Sequence, residues 1–128
     1  MTWLRTEGNY GAPGSNRTGR TLPKFTPRTG NAGISYIAHG WTMRAMMNYT
    51  SDRMVTYNAN ESRRVYANGH TQVDFKLAYA FSRRYSVYAD VINVFNVDAN
   101  SQYTYIKDRV TFRQSFASAI NFGISGTF

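Results

Sequence analysis

The chain has 128 residues, enough for one hydrophobic core and too few for two. A mean hydropathy of −0.48 and apolar runs of only a few residues exclude a bundle of transmembrane helices, each of which needs ~20 apolar residues. Fifteen Lys and Arg against seven Asp and Glu leave a net charge of +8, and the lack of any Cys excludes a disulfide scaffold, a thiolate nucleophile and a Cys-held metal or cluster. A basic nucleic-acid binder, a small soluble β domain and a piece of a β-barrel stay open.

Residues 1–28 are rich in Gly, Asn, Pro, Arg and Thr and show neither a helical nor a strand period. GNYGAPGSNRTGR (8–20) has the composition of a loop, since Gly permits positive φ and Pro and Asn start turns. Arg5, Arg17, Arg20, Lys24 and Arg28 face one acid, Glu7. Residues 2–6 read as the tail of a strand that begins outside the chain. No basic-then-apolar signal pattern occurs in the first twenty residues.

Beyond residue 30 the period becomes two. In 31–39, Ala32, Ile34, Tyr36 and Ala38 oppose Asn31, Gly33, Ser35 and Ile37. In 41–50, Trp41, Met43, Ala45, Met47 and Tyr49 oppose Thr42, Arg44, Met46, Asn48 and Thr50. The cleanest run, 71–81, sets Val73, Phe75, Leu77, Tyr79 and Phe81 against Gln72, Asp74, Lys76, Ala78 and Ala80. The stretch 85–96 sets Val87, Ala89, Val91 and Phe95 against Ser86, Tyr88 and Asp90, blurred by Ile92 and Val94. Last, Phe116, Ile120, Phe122, Ile124 and Phe128 share one parity. Side chains alternate across a strand, so each run is a ribbon with one apolar and one polar or small-residue face. Five strands are expected, with no helix.

The connections alternate short and long. His39-Gly40 and Ser82-Arg83-Arg84 are short, whereas residues 51–70 and the stretch beginning near Val97 are long and polar. Outer-membrane barrels place short turns on the periplasmic side and long loops outside. Strand length agrees: about ten residues at ~3.3 Å, tilted near 45°, rise roughly 23 Å, close to the ~25 Å apolar band. Trp41 and Tyr49 bracket one apolar face, and Phe81, Tyr85 and Phe128 sit at strand ends, as an interfacial girdle requires. The charges Arg44, Asp74, Lys76 and Asp90, with Gln72 and Asn121, fall on the other face, where a water-filled lumen would solvate them.

The order of these residues resembles the C-terminal end of a TonB-dependent outer-membrane receptor. Leu22-Pro23 with Pro27-Arg28-Thr29-Gly30-Asn31 before the strand at 32–37 resembles that family's approach to a late barrel strand. VYADVINVFN (87–96) is similar to its near-terminal strand, whose closing tetrad is here Asn93-Val94-Phe95-Asn96. Asn121, Gly123 and Phe128 resemble the terminal signal read by the barrel-assembly machinery, with a departure at Gly126, where that pattern prefers a bulky residue. The resemblance covers about residues 21–128. It implies an all-β, up-and-down antiparallel segment of a barrel of about 22 strands, importing siderophore-iron, cobalamin or a carbohydrate. It also implies partners: the rest of the barrel, the plug, the TonB complex and outer-membrane lipid. Residues 1–28 would form an extracellular-type loop and 29–128 the last strands. Five strands cannot close, since the smallest single-chain barrel has about eight and open edges in lipid are prohibitive. The expectation is therefore a fragment, with Met1 an internal residue and the plug and TonB box elsewhere.

No catalytic constellation stands out, and no cofactor is implied. His39 and His70 have no acid at ligand spacing, Gly8, Gly11 and Gly14 lack the strand–turn–helix setting of a phosphate cradle, and the Asn-x-Ser/Thr triplets at Asn16, Asn48 and Asn60 suit an Asn-rich chain. Arg44, Asp74 and Lys76 are candidates for the lumen, either along a substrate path or as a solvated wall with cross-strand ion pairs. Arg63, Arg64 and Tyr66 in the second long loop, with Arg17 and Arg20 in the first, are candidates for an anionic ligand or lipopolysaccharide phosphate, or are merely solvated. Tyr103, Tyr105 and Lys107 pose the same choice. The rival from another class is a basic soluble domain binding single-stranded nucleic acid. Its stacking platform would put basic and aromatic residues on one surface, whereas here the former lie mostly in loops and the latter mostly on apolar strand faces. A barrel assembled from several copies, as in trimeric autotransporter anchors, fits neither the odd strand count nor the missing helical passenger segment.

Overall fold

In a computed structural model of the chain, residues 1–5, 8–9, 18–19, 22–107 and 109–127 are described. Their strands are β1 (Thr2–Trp3), β2 (Gly8–Asn9), β3 (Thr18–Gly19), β4 (Arg28–Ala38), β5 (Trp41–Thr50) and β6 (Arg53–Thr56). After a single 3₁₀ turn at Glu61–Arg63 come β7 (Val65–Ala67), β8 (His70–Ala80), β9 (Tyr85–Ile92), β10 (Asn100–Thr104), β11 (Val110–Gln114) and β12 (Ala119–Gly126). Three sheets result, ordered β1-β4-β5-β8-β9-β12, β11-β10-β7-β6 and β2-β3. The fold is all-β and antiparallel, with open-edged sheets, as an incomplete barrel segment requires. Arg17, Arg20, Glu7, Gly11, Gly14, Asn16 and Phe128, all singled out in the sequence, lie outside the described residues.

The chain divides into two compact units. One comprises Asn31–Asn48, Thr71–Val97 and Phe116–Phe128. Here the five expected strands form, and the turns explain their ends. His39 and Gly40 both have positive φ (51° and 81°), the two-residue hairpin geometry whose twist matches that of the flanking strands. A side chain at position 40 would also strike the Ala80 carbonyl at 2.8 Å, so Gly serves twice. β9 stops at Ile92, short of the alternation read to residue 96, because Asn93 turns to φ 57°. Asn accepts that left-handed conformation better than most residues.

This unit lacks a core of its own. Among its described residues Asn93 alone is buried, while Ile34 is 73% and Phe122 83% exposed. Apolar side chains have been arranged on one face without being covered by this chain.

The other unit comprises Met1–Gly30, Tyr49–His70 and Asp98–Ser115. β1 extends the pairing of β4 toward its start, with Thr2 opposite Thr29 and Trp3 opposite Arg28, so β4 begins three residues before the alternation does. The Arg28 guanidinium lies 4.6 Å from the Trp3 ring centroid. The stretches read as long connections hold β6, β7, β10 and β11, which form the four-stranded sheet. Met54, Ala67 and Tyr103 make its small apolar core. Tyr66 and Tyr103, opposite one another in the β7–β10 ladder, stack at 5.5 Å. Asn68 donates its N–H to the Ser101 carbonyl (2.7 Å) and its amide Nδ2 to the Ser101 hydroxyl (3.1 Å).

Candidate functional site

Antiparallel register decides which side chains share a face. In the β8–β9–β12 ladder, Phe75, Val91 and Ile120 form one row, Leu77, Ala89 and Phe122 the next, and Tyr79, Val87 and Ile124 a third. Between them alternate the rows Lys76, Asp90, Asn121 and Ala78, Tyr88, Gly123. The two parities read strand by strand therefore add up to one apolar and one polar sheet face. Trp41 meets Tyr79 at 4.4 Å and Phe81 stacks on Tyr85 at 6.3 Å, which gathers the aromatics at the short-turn ends. On the polar face Lys76 Nζ lies 3.6 Å from Asp90 Oδ2, a partly exposed pair of small energetic value, about 0–1 kcal/mol. Arg44 is exposed, and Asn121 sits opposite Asp90.

Asp74 has a different occupation from its neighbours. Its Oδ1 accepts from the Gln72 amide (2.9 Å) and from the backbone N–H of Asn93 (2.9 Å). Asn93 then ties the strand end together. Its Nδ2 donates to the carbonyls of Val97 (3.0 Å) and Phe116 (2.9 Å), and its Oδ1 accepts from the Val97 N–H (2.9 Å). The Ser118 hydroxyl donates to the Asn93 carbonyl at 2.6 Å. This is the physical content of the Asn-x-x-Asn tetrad: Asn93 and Asn96 both have positive φ, and the first satisfies the backbone on either side of a long excursion. Asp74 orients that hub.

In the other unit the loop candidates separate. Arg64 and Tyr66 come together, but the guanidinium is already engaged. Its Nε donates to the Asn58 carbonyl (2.9 Å), its terminal nitrogen to Glu61 (3.0 Å), and it lies 5.2 Å from the Tyr57 ring centroid. Desolvation pulls the Arg64 pKa down, and the Tyr66 hydrogen bond with the Glu61 charge outweighs it, so the net direction is up. Arg63 does not join them; it ends the 3₁₀ turn, exposed.

A second centre is Asp52, which sequence reasoning passed over. Its Oδ1 accepts from the Gly69 N–H at 2.5 Å and its Oδ2 from Lys107 Nζ at 2.7 Å. Burial raises its carboxyl, but the Lys107 and Gly69 hydrogen bonds and the Lys107 charge prevail and hold the pKa below its ordinary value. Tyr103 is pushed up, first by burial and then by the Asp52 and Tyr66 charges, against a smaller opposite pull from Lys107. Gly69 admits no side chain, since a Cβ there would lie 2.6 Å from the Thr50 carbonyl. The dipeptide Asn68-Gly69 beside an acid seventeen residues earlier was the available signal, too remote in sequence to be legible.

A two-faced antiparallel sheet, apolar on one side and polar on the other, with no internal core and both edges open among the described residues, is the architecture of a β-barrel segment. The family model described as TonB dependent receptor-like, beta-barrel matches residues 1–94, and the chain belongs to that family of outer-membrane receptors and transporters. No curated protein matches the chain. No solved structure matches it either. The matched span starts before the Leu22-Pro23 motif and ends within the Asn93–Asn96 tetrad, so the terminal motif at Asn121 and Gly123 lies outside it. Family membership sets aside the nucleic-acid alternative.

Proposed function

We propose that this chain is part of the wall of a TonB-dependent receptor in the outer membrane of a Gram-negative-type bacterium, importing a scarce ligand, with residues 29–128 as its C-terminal strands. Residues 1–28 are assigned to an extracellular-type loop together with the end of a preceding strand. The apolar rows from Phe75 to Ile124 face lipid, and Arg44, Asp74, Lys76, Asp90 and Asn121 face the lumen. Asn121, Gly123 and Phe128 belong to the signal used by the barrel-assembly machinery. Arg63, Arg64 and Tyr66 belong to the surface that meets ligand or lipopolysaccharide. The plug and the TonB complex are the partners of the whole receptor, and no residue of this chain is given a catalytic role.

The observation that carries this reading is the register: three consecutive strands put Leu77, Ala89 and Phe122 on one side and Lys76, Asp90 and Asn121 on the other. Soluble sheets bury the apolar side against their own chain. Here Phe122 stays 83% exposed. These 128 residues contain no Cys, so a cysteine introduced at 119–125 is the only one on its peptide, and labelling is read there by mass spectrometry. In outer-membrane vesicles a water-soluble maleimide is expected to label Asn121→Cys and Ser125→Cys and to spare Ile120→Cys, Phe122→Cys and Ile124→Cys. Uniform labelling, or recovery of the receptor in the soluble fraction, would overturn the assignment.

A further inference from the structure

The link from β7 to β8 is the dipeptide Asn68-Gly69. In such a pair no side chain shields the glycine nitrogen, which can attack the neighbouring amide carbon and close a succinimide ring. Packing keeps this labile pair in place. A Cβ at position 69 would lie 2.6 Å from the Thr50 carbonyl oxygen and 2.8 Å from the Asp52 nitrogen, so the residue must be Gly. The Asn68 side chain ties the link to a distant part of the chain, donating from Nδ2 to the Ser101 hydroxyl at 3.1 Å.

The folded sheet holds the chemistry back at each of the atoms it needs. The attacking nitrogen is occupied, since the Gly69 N–H donates to Asp52 Oδ1 at 2.5 Å. Asp52 is itself fixed by Lys107 Nζ at 2.7 Å, which with Gly69 keeps its carboxyl below the ordinary pKa. It is therefore a weak base that leaves the proton on nitrogen, and its charge opposes the negative charge that attack would develop there. The leaving nitrogen is the one bound to Ser101. Asn68 Oδ1, where an oxyanion would form, is buried and has no hydrogen-bond donor among the described residues.

We propose that Asn68 is a modification site, converted to aspartate and isoaspartate when local opening parts Gly69 from Asp52. The Gly69 nitrogen loses its proton and bonds to Asn68 Cγ; the Cγ–Nδ2 bond breaks, and ammonia leaves with that proton. Water then opens the ring at either carbonyl, giving the α-linked or the β-linked acid. Either product replaces the Nδ2 donor by a carboxylate in a part-buried site, and the β-linked one adds a backbone carbon to a two-residue link. Each opening thus risks an irreversible loss of native geometry, and the Asp52 contact sets the chemical lifetime of the sheet built from β6, β7, β10 and β11.

The test follows the peptide that contains Asn68 by mass spectrometry while full-length receptor in outer-membrane vesicles is held at mildly alkaline pH. The free peptide VYANGHTQ (65–72) is run beside it. The free peptide is expected to convert well ahead of the receptor, and Asp52→Ala to speed conversion in the receptor about tenfold or more, the worth of a hydrogen bond to a charged group. Asp52→Ala also loosens the sheet, so amide exchange at Gln102 is measured in the same samples, and the gain at Asn68 should exceed the gain there. Arg113→Gln, which breaks the Arg113–Asp98 ion pair on β11, should leave conversion unchanged. Conversion in the parent receptor as fast as in the free peptide would overturn the protection. A gain at Asn68 no larger than that at Gln102 would overturn the role of Asp52, and an intact Asn68 in Asp52→Ala would remove the site.

Discussion

The ring of Tyr88 lies across Gly123 so closely that a Cβ at 123 would stand 2.6 Å from the Tyr88 Oη. On the other face Tyr85 covers Gly126, with ring carbons 3.0 Å from the corresponding position. Each tyrosine is the register partner of the glycine it covers. The space beside position 126 is thus filled from the adjacent strand, by Tyr85.

Gly123→Ala is expected to destabilise the receptor by about 1–3 kcal/mol, the usual cost of overpacking. Tyr88→Ala in the same chain should recover much of that loss, because it empties the space. Urea unfolding of the two single variants and the double variant in lipid vesicles measures the coupling. Strictly additive losses would remove the ring-over-glycine contact from the account.

Asn93 serves Val97, Phe116 and, through Asp74, its own N–H. Asn93→Ala should cost about 3 kcal/mol, since buried backbone groups left without partners cost about 1–3 kcal/mol each. Asp74→Ala should cost less, because it strands one N–H. Hydrogen exchange at Val97 and in β12 reads the difference. Equal protection in both variants and the parent chain would deny Asn93 its role.

The sheet built from β6, β7, β10 and β11 should have a stability plateau bounded by two groups. The Asp52 pKa lies below its ordinary 3.8, so its contribution is present above that value and is lost as pH falls through the lower folded value. Tyr103 lies above its ordinary 10.0, so its contribution is complete below 10.0 and is lost as pH rises through the higher folded value. Exchange protection of the Ala67 and Gln102 amides against pH should show both limbs, once corrected for intrinsic exchange. Asp52→Asn should erase the acid limb and shorten the alkaline limb to a lesser degree, since the Asp52 charge is one of the causes that raise Tyr103.

Ile34→Lys should impair membrane assembly by about 2–4 kcal/mol, the cost of a cation against mid-bilayer lipid, whereas Ser35→Lys one residue away should be nearly neutral. Heat-modifiable mobility of the assembled receptor on gels compares the two. Equal defects would remove the face assignment of β4.

The long strands were legible because a period of two sustained over eight to eleven residues leaves few alternatives, and their turns carried Gly40 or a Ser-Arg-Arg run. β6, β7, β10 and β11 were not, since three to five residues are too few to establish a period. Their sheet depends on contacts such as Asn68 with Ser101 and Asp52 with Lys107, which link positions far apart in the chain. Among the candidate residues the face of Lys76 was readable from parity, but its closeness to Asp90 was a matter of register. Asp74 shares the parity of Lys76, and its partner was missed, because the N–H it binds belongs to a residue turned out of the strand by its φ.

Phe122, Ile120 and Ile124 project from a strand and stay mostly exposed, with no described part of the chain lying over them. For most proteins water is the medium that drives folding, and the sequence encodes its own interior. Under the lipid-facing assignment proposed above, the interior is left to another substance. Half of the packing instructions in β12 are then addressed to hydrocarbon, and they acquire meaning only when the chain reaches it. Any handling of the segment in water therefore examines a text with one of its readers missing. The bilayer belongs among the reagents of its folding reaction, with a stoichiometry and a chemistry of its own.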